Sequence, residues 1–230
     1  MNNQSKNGIG QLNEYSIHSQ LKDLHDGPDA VCEARVDNYI VDVVQEGKLI
    51  EIQTKNFFSI RKKLENLLEK HPVLLVAPLP AVTHITVMDA AKKTILYKRK
   101  SPKKNTLAGI APELCRITTV LGHPNFTLKV LMTEEEDIRI NDGKGSWRRR
   151  GISLSDRKLI SIQEEHLFTE KKDYLRLLPP SLPDEFTNKD ITAALKIPPR
   201  TAQGITYCLK SLHLIKITRK SGKKQFFTVL

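Results

Sequence analysis

The chain of 230 residues carries 37 Lys/Arg against 26 Asp/Glu, a formal net charge of +11 at pH 7. Its length fits one large or two small domains with ample material for a core. No apolar run reaches membrane-spanning length and the N-terminal MNNQSKNGIG has no apolar signal region, so a membrane or secreted protein is not expected and a cytoplasmic one is. Cys32, Cys115 and Cys208 are isolated in sequence, with no close pair for zinc or redox chemistry, and read as buried thiols of a reducing compartment. Charge is uneven: residues 1–90 hold 9 Lys/Arg and 12 Asp/Glu, whereas residues 91–230 hold 28 and 14. A mildly acidic part beside a strongly basic one suits a polyanionic partner, nucleic acid first, although basic surfaces also serve solubility.

Residues 12–25 read as a helix with Ile17, Leu21 and Leu24 as its apolar stripe. Glu14 and His18, four apart, share a neighbouring face; the histidine reads more simply as a surface or core residue than as part of a site. Residues 31–54 read as hairpin structure, with a bulge expected near Asp37–Asn38. Inside it, VDVVQEGKLIEIQT (residues 41–54) joins two β-branched and aliphatic runs through a tight turn at Glu46–Gly47. With those two residues as the loop, cross-strand partners have numbers summing to 93, which sets Asp42 opposite Glu51 and Ile40 opposite Gln53. Asp42, Glu51 and Gln53 then share one face. Directly opposed carboxylates repel. A hard divalent cation such as Mg²⁺ would neutralise them; so would solvent exposure or pairing with lysines.

A helix follows from Phe58 to Lys70, turning Ile60, Leu64, Leu67 and Leu68 inward. Val73 to Ala77 is a buried strand closed by Pro78, and THITVMD and TILYKRK are two more strands. KKTILYKRKSPKK (residues 92–104) has seven basic residues and no acid, so Arg99, Lys100, Lys103 and Lys104 are candidate phosphate contacts, or a solvated basic loop. A helix is expected near 106–121 and a strand at NFTLKVLM. The run Glu134–Asp137 reads as a solvated strand end or loop. DGKGSWRRRG sets Arg148, Arg149 and Arg150 beside a tryptophan, a combination that can hold phosphate and stack on a base or serve an interdomain contact. SLSDRKLISIQEE reads as a helix capped by Ser153 or Ser155.

After the punctuation LLPPSLP, Thr187 with Asp190 three residues on forms a capping-box pattern, and Ile197-Pro198-Pro199 ends one helix and starts the next. On that second helix Ala202, Ile205, Leu209 and Leu212 keep an apolar spacing, while Arg200, Thr201, Gln203, Thr206, Tyr207 and Lys210 fall on the other faces. IKITRKSGKKQFFTVL alternates around Ser221–Gly222, a hairpin tipped by Arg219, Lys220, Lys223 and Lys224. Helix, turn, helix and basic hairpin resemble a winged helix. The resemblance implies major-groove contacts from the second helix and backbone contacts from the wing, unless the module serves protein contacts. The Pro-rich stretch marks a boundary that few contacts need cross, so a chain ending near Pro180 is expected to fold.

Over residues 10–80 the order of helix, acidic hairpin, helix and apolar strand resembles the core of the PD-(D/E)xK nuclease superfamily. Asp42 and Glu51-Ile52-Gln53 stand at that family's Asp and Glu-x-Lys, with Gln53 in the lysine position. The resemblance implies a mixed α/β sheet flanked by helices, of restriction-endonuclease type, in residues 1–100. Residues 101–180 are then a basic middle segment that could extend that domain, and residues 181–230 the winged helix. It implies that Asp42 and Glu51, with the Ile52 carbonyl, hold Mg²⁺, or Mn²⁺ in its place. Gln53 would orient water, Glu14 would complete the metal shell, and Lys55, of the same strand parity as Gln53, would supply the missing cation. Asp29, in GPDAV, and Glu33 are rivals for the acidic position. The expected activity is a metal-dependent nuclease, an endonuclease on DNA, with a homodimer among the open oligomeric states. The alternative is a DNA-binding or regulatory protein with a degenerate nuclease-like scaffold, which the lysine-to-glutamine departure favours.

Overall fold

A computed structural model describes residues 15–230; Glu14 lies outside them. Helix α1 (Ser16–Asp23) leads into strands β1 (Val31–Val36), β2 (Tyr39–Gln45) and β3 (Lys48–Ile52). A 3-10 turn at Phe57–Ile60 opens helix α2 (Arg61–Leu68), and the chain returns through β4 (Val73–Met88). Then come β5 (Ile95–Lys100), short helix α3 (Ala111–Leu114), β6 (Phe126–Asn141) and β7 (Ile152–Phe168). Six strands run in the order β1-β2-β3-β4-β6-β7, and β5 pairs with β4 beyond the end of β3. β1, β2 and β3 are successive antiparallel neighbours, whereas β4 runs parallel to β3 and to β6, giving a mixed α/β sheet.

The sheet is covered on both faces. α1 lays Ile17 and Leu21 on Val43, Ile50, Ile52 and Val76. Full burial of such side chains is worth about 1.5–3 kcal/mol each, which holds a helix too short to persist alone. Leu24, expected in the same stripe, lies past the helix end and is exposed. The other face carries α2 through Leu64, Leu67 and Leu68, together with α3 and the C-terminal elements, over Leu75, Leu128 and Val130.

Several expectations are corrected. Asp37–Asn38 is a tight turn and not a bulge, since the β1–β2 partners run from Val36↔Tyr39 with Asp37 left-handed at φ 49°. Pro78 does not end a strand: β4 continues for 16 residues through Pro78 and Pro80. Val76 accepts the Gln53 N–H, so β4 residues of that parity face the β3 edge. Both prolines share the parity and sit after β3 has ended and before β5 begins pairing at His84, where a missing N–H leaves no ladder bond unmade. The helix expected over 106–121 shrinks to a 3-10 turn at Leu107–Ile110 and the four residues of α3, because Pro112 restarts the chain and turns follow. The expected helix at SLSDRKLISIQEE is instead part of β7, antiparallel to β6 along its length. Three register shifts in that pairing break the period of two that would have revealed a strand.

The acids Glu134–Asp137 are not a solvated end either; they lie mid-strand in β6, with Glu135 1% and Asp137 3% exposed. Arg157 lies 3.2 Å from Glu135 and 2.9 Å from Asp137, and Arg139 adds a 2.8 Å contact to Asp137. Burial pushes the Glu135 carboxyl up. At Asp137 burial acts the same way, but bonds to Arg139 and Arg157 outweigh it and hold the group below its ordinary value.

The C-terminal part has winged-helix order: a 3-10 helix at Lys171–Leu177, then α4 (Asn188–Leu195), α5 (Pro199–Ser211), β8 (Ile215–Ser221) and β9 (Lys224–Val229). Phe186 supplies the short third strand by exchanging two backbone bonds with Phe227. Asp190 accepts the Thr187 N–H at 2.8 Å, as the capping pattern requires. The Pro-rich stretch is nevertheless not a contact-free boundary. Ala202, Ile205, Cys208, Leu209 and Phe227 are buried in one cluster with Leu114, Ile117, Phe168 and Tyr174. Gly204 lets α5 approach α3 closely, since a Cβ there would stand 3.3 Å from Cys115 Sγ.

Candidate functional site

The turn at Glu46–Gly47 forms as the residue types demand, with both residues at positive φ. The ladder runs Gln45↔Lys48, Val44↔Leu49 and Val43↔Ile50, each pair summing to 93. It stops there. β2 and β3 part at Asp42 and Glu51, so Ile40 is not paired with Gln53, and β1 also skips its pair to Asp42, at Glu33 with φ 51°. In the fork the Ile52 N–H donates to Asp42 Oδ2 at 2.8 Å, and the Asp42 N–H supports the Glu51 carboxylate.

The two acids do not share one face as strand parity implied, because the ladder breaks at Asp42, and they meet different cations from helices on opposite faces of the sheet. Glu51, 4% exposed, faces α2, where Lys63 Nζ stands 2.5 Å from Oε1. Burial pushes the Glu51 carboxyl up to about 7; Lys63 opposes that, and the negative charge of Asp42 adds to it. Asp42 faces α1, with His18 Nε2 at 3.4 Å and Lys22 Nζ at 3.5 Å. Burial raises the Asp42 carboxyl too, but the bonds from His18 and the Ile52 N–H, with the charges of His18 and Lys22, outweigh it and leave it below the ordinary value. His18 Nε2 also approaches the Ile52 carbonyl oxygen at 3.0 Å.

His18, Lys22 and Lys63 are the residues that sequence reasoning missed or set aside. For Lys63 the only local signal was a basic residue one position before the apolar Leu64 of α2. Nothing local announced that it would reach across to β3. Gln53 donates its side-chain amide to the Lys55 carbonyl, a bond two residues along its own chain. Lys55 lies over the Tyr15 ring, 5.7 Å from its centroid. The rivals Asp29 and Glu33 are exposed, and Glu33 shares Lys22 with Asp42.

For a hard cation the donor set is chemically suitable: two carboxylates and the Ile52 carbonyl, all oxygen. Glu51 Oε1 is buried with Lys63 Nζ at 2.5 Å, so a metal bound there would have to share or displace that lysine. Among the described residues, however, no group of three or more His, Cys, Asp or Glu is placed to hold a metal ion.

The basic candidates separate into three places. Arg99 and Lys100 on β5, with Arg148, Arg149 and Arg150, are exposed where β4, β5 and β6 extend beyond the fork; Lys103 and Lys104 are exposed on the loop after β5. Arg200 and Gln203 are exposed on α5 beside Tyr207, while Lys210 is half-buried with its ammonium 5.9 Å from the Phe227 ring centroid. Thr201, 9% exposed, faces the core and is not available to a groove. Thr206 is buried as well, donating to Asn188 at 2.8 Å. On the wing Lys220, Lys223 and Lys224 are exposed, whereas Arg219 is held by Glu185 at 2.6 Å and lies over Phe226. The cysteines also differ from expectation: Cys32 is exposed, and Cys115 and Cys208, distant in sequence, bring their sulfurs within 3.6 Å between α3 and α5.

Fold and site together define an α/β protein with a mixed sheet, a buried Glu51 beside a half-buried Asp42 at a strand fork, and a tail of two helices and a hairpin. Residues 15–169 match the family described as a domain of unknown function (DUF8091), and the chain belongs to that family. The match ends one residue past β7, so the C-terminal helices and hairpin lie outside it. A protein of Treponema pallidum (strain Nichols), described as an uncharacterized protein, is 29% identical over 184 residues, covering 80% of this chain and 73% of that one. No solved structure matches. None of the described helices is long and apolar enough to cross a membrane.

Proposed function

We propose that the protein is a metal-dependent nuclease that cuts phosphodiester bonds in DNA at the β2–β3 fork and grips the strand with its basic extension and winged helix. The observation that carries this reading is the fork itself. A fold that needed only stability would not bury Glu51 beside Asp42 with one lysine to balance it, because a carboxyl pushed to about 7 is poorly satisfied. The helix–three-strand–helix–strand order with β4 parallel to β3 supports the nuclease resemblance. Bound Mg²⁺ would supply a water of lowered pKa and polarise the scissile phosphate. Asp42, Glu51 and the Ile52 carbonyl are the residues to hold it. Lys63 balances the charge at Glu51, His18 orients Asp42 and the Ile52 carbonyl, and Gln53, just past β3, would hydrogen-bond water on leaving the Lys55 carbonyl. Free thiols at all three cysteines fit a reducing cytoplasm.

One observation favours a second reading, a DNA-binding protein without catalysis. Lys22, His18 and Lys63 already lie within 4 Å of the acids, and so answer without a metal the repulsion that made a metal attractive. Two measurements separate the readings: Mg²⁺ titration by calorimetry, and cleavage of a panel of duplex, branched and single-stranded nucleic acids. Under the nuclease reading wild type takes up Mg²⁺ and cuts. Asp42→Asn and Glu51→Gln each abolish cutting while binding nucleic acid within a few-fold of wild type. Cleavage by either variant at near wild-type rate rejects the site. Absence of Mg²⁺ uptake and of cleavage, with binding intact, selects the second reading.

A further inference from the structure

At the far end of the sheet extension, Val87, Tyr97, Arg99, Arg139, Arg148, Arg149, Arg150 and Ile152 line a cleft of about 280 Å³. Arg139 is committed to Asp137. Arg99, Arg148, Arg149 and Arg150 have no carboxylate within 4 Å among the described residues, so four like charges converge without internal compensation. Such a cluster costs self-repulsion in the free protein, which an anion with several oxygens relieves.

The loop carrying three of these arginines is shaped in advance. Gly143 and Gly151 take φ of 75° and 77°, and a Cβ on Gly145 would stand 2.0 Å from the Ile152 carbonyl oxygen, so that position admits only glycine without rearrangement. Arg150 is left-handed at φ 50°, and the Gly145 N–H closes the loop on the Gly151 carbonyl at 2.9 Å. Trp147, the single tryptophan of the chain, is 82% exposed beside the cleft-lining Arg148, whose guanidinium stands 5.5 Å from its ring centroid. A large aromatic kept in water beside an arginine cup is placed to stack a base.

We propose that this cup binds the terminal phosphomonoester of a nucleic-acid strand, with the adjoining base stacked on Trp147. The inference rests on the nucleic-acid reading above for its partner, though not on catalysis at the fork. A phosphodiester inside a strand carries one charge. A terminal phosphate carries close to two at neutral pH with three acceptor oxygens, and so matches a compact four-arginine cup better than a linear track would. From Val76, level with the fork, to Val87 is eleven residues of β4, about 36 Å at about 3.3 Å per residue. The cup is therefore separate from the acid pair, and a strand end held there would set a distance to the fork.

The test uses the full chain in EDTA, with one short single-stranded DNA bearing a 5′-phosphate, a 3′-phosphate or hydroxyls only. Trp147 fluorescence and anisotropy of a labelled strand are both followed. One phosphorylated form should bind at least tenfold more tightly than the hydroxyl form, and should quench the tryptophan. That preference should fade as pH falls below about 6, where the phosphate takes up its second proton. Arg149→Lys, which keeps the charge and loses the planar two-pronged donor geometry, should remove most of the preference. Asp42→Asn should leave it intact. Equal affinity for all three strands overturns the inference. So does a preference that Arg149→Lys preserves in full. With the Mg²⁺ cleavage assay run in parallel, absence of cleavage with the preference retained would count against the nuclease reading alone, and cleavage without the preference against this one alone.

Discussion

Glu51 sits in a conflict that its neighbours only partly resolve, and that conflict is measurable. Its folded pKa of about 7 lies above the ordinary 4.5, so between those values the folded state holds a proton that the unfolded chain has released. This contribution to stability is fully present below pH 4.5 and is lost as pH rises to about 7, an effect of up to about 3 kcal/mol at about 1.4 kcal/mol per unit. Urea unfolding of the metal-free protein should therefore show wild type losing stability relative to Glu51→Gln across that window. Parallel curves would mean that Glu51 is ionised throughout. Under the nuclease reading proposed above, Lys63 and Gln53 would divide the role that one lysine fills in the resembled family. Lys63 stands at 2.5 Å from Glu51, whereas the Gln53 amide is bonded to Lys55. Lys63→Ala should thus reduce cleavage by at least about a hundredfold, the lower end for a positioned group, and more than Gln53→Ala does. The reverse order in single-turnover rates would return the role to Gln53.

Among the elements, α5 is the one whose two faces are asked to do different things. Arg200, Gln203 and Tyr207 are exposed along one stripe, and the opposite faces pack Ala202, Ile205, Cys208 and Leu209 into the core. The approach to α3 leaves no space for a large side chain at Gly204. Gly204→Leu should cost about 1–3 kcal/mol by overpacking and lower the thermal midpoint, whereas Gln203→Leu, one residue away on the exposed stripe, should not. The same packing orders thiol reactivity. Exposed Cys32 should react with a thiol reagent at once in native protein, and Cys208 only on unfolding. Rapid labelling of Cys208 would mean that α5 leaves α3 readily.

Across the whole molecule, the C-terminal helices and hairpin are docked and not tethered. Ending the chain at Pro180 would strip Ile205, Leu209, Leu212 and Phe227 from the cluster that holds Leu114 and Tyr174. Such a protein should unfold at lower temperature than the full chain and expose apolar surface to a hydrophobic dye, against the expectation that it folds independently. Its weaker DNA binding would then be ambiguous, so the wing is better tested in place. Lys220, Lys223 and Lys224 are exposed, and their joint replacement by alanine should leave the thermal midpoint unchanged. The slope of log affinity against log salt should become shallower by about 0.9 for each phosphate that the wing no longer neutralises on duplex DNA. An unchanged slope would assign the wing to protein contacts.

What could be read from the chain alone was local. The Glu46–Gly47 turn and its sum of 93, the α2 stripe and the Thr187 cap all depend on residues within one turn or one hairpin of each other. So does the order of the C-terminal helices and wing. What needed the tertiary structure depended on which edge or face another segment occupies. Pro78 and Pro80 lie within β4 because β3 has already ended and β5 has not begun. Glu135 and Asp137 are buried because Arg157 comes from the next strand. β7 is a strand because β6 offers it a full edge, and its bulges had erased the alternation. At the candidate site the acids were legible and their cations were not. Asp42 and Glu51 share a hairpin, but Lys22 and Lys63 come from helices on opposite faces of the sheet, and only packing of both helices decides how far each carboxylate is neutralised.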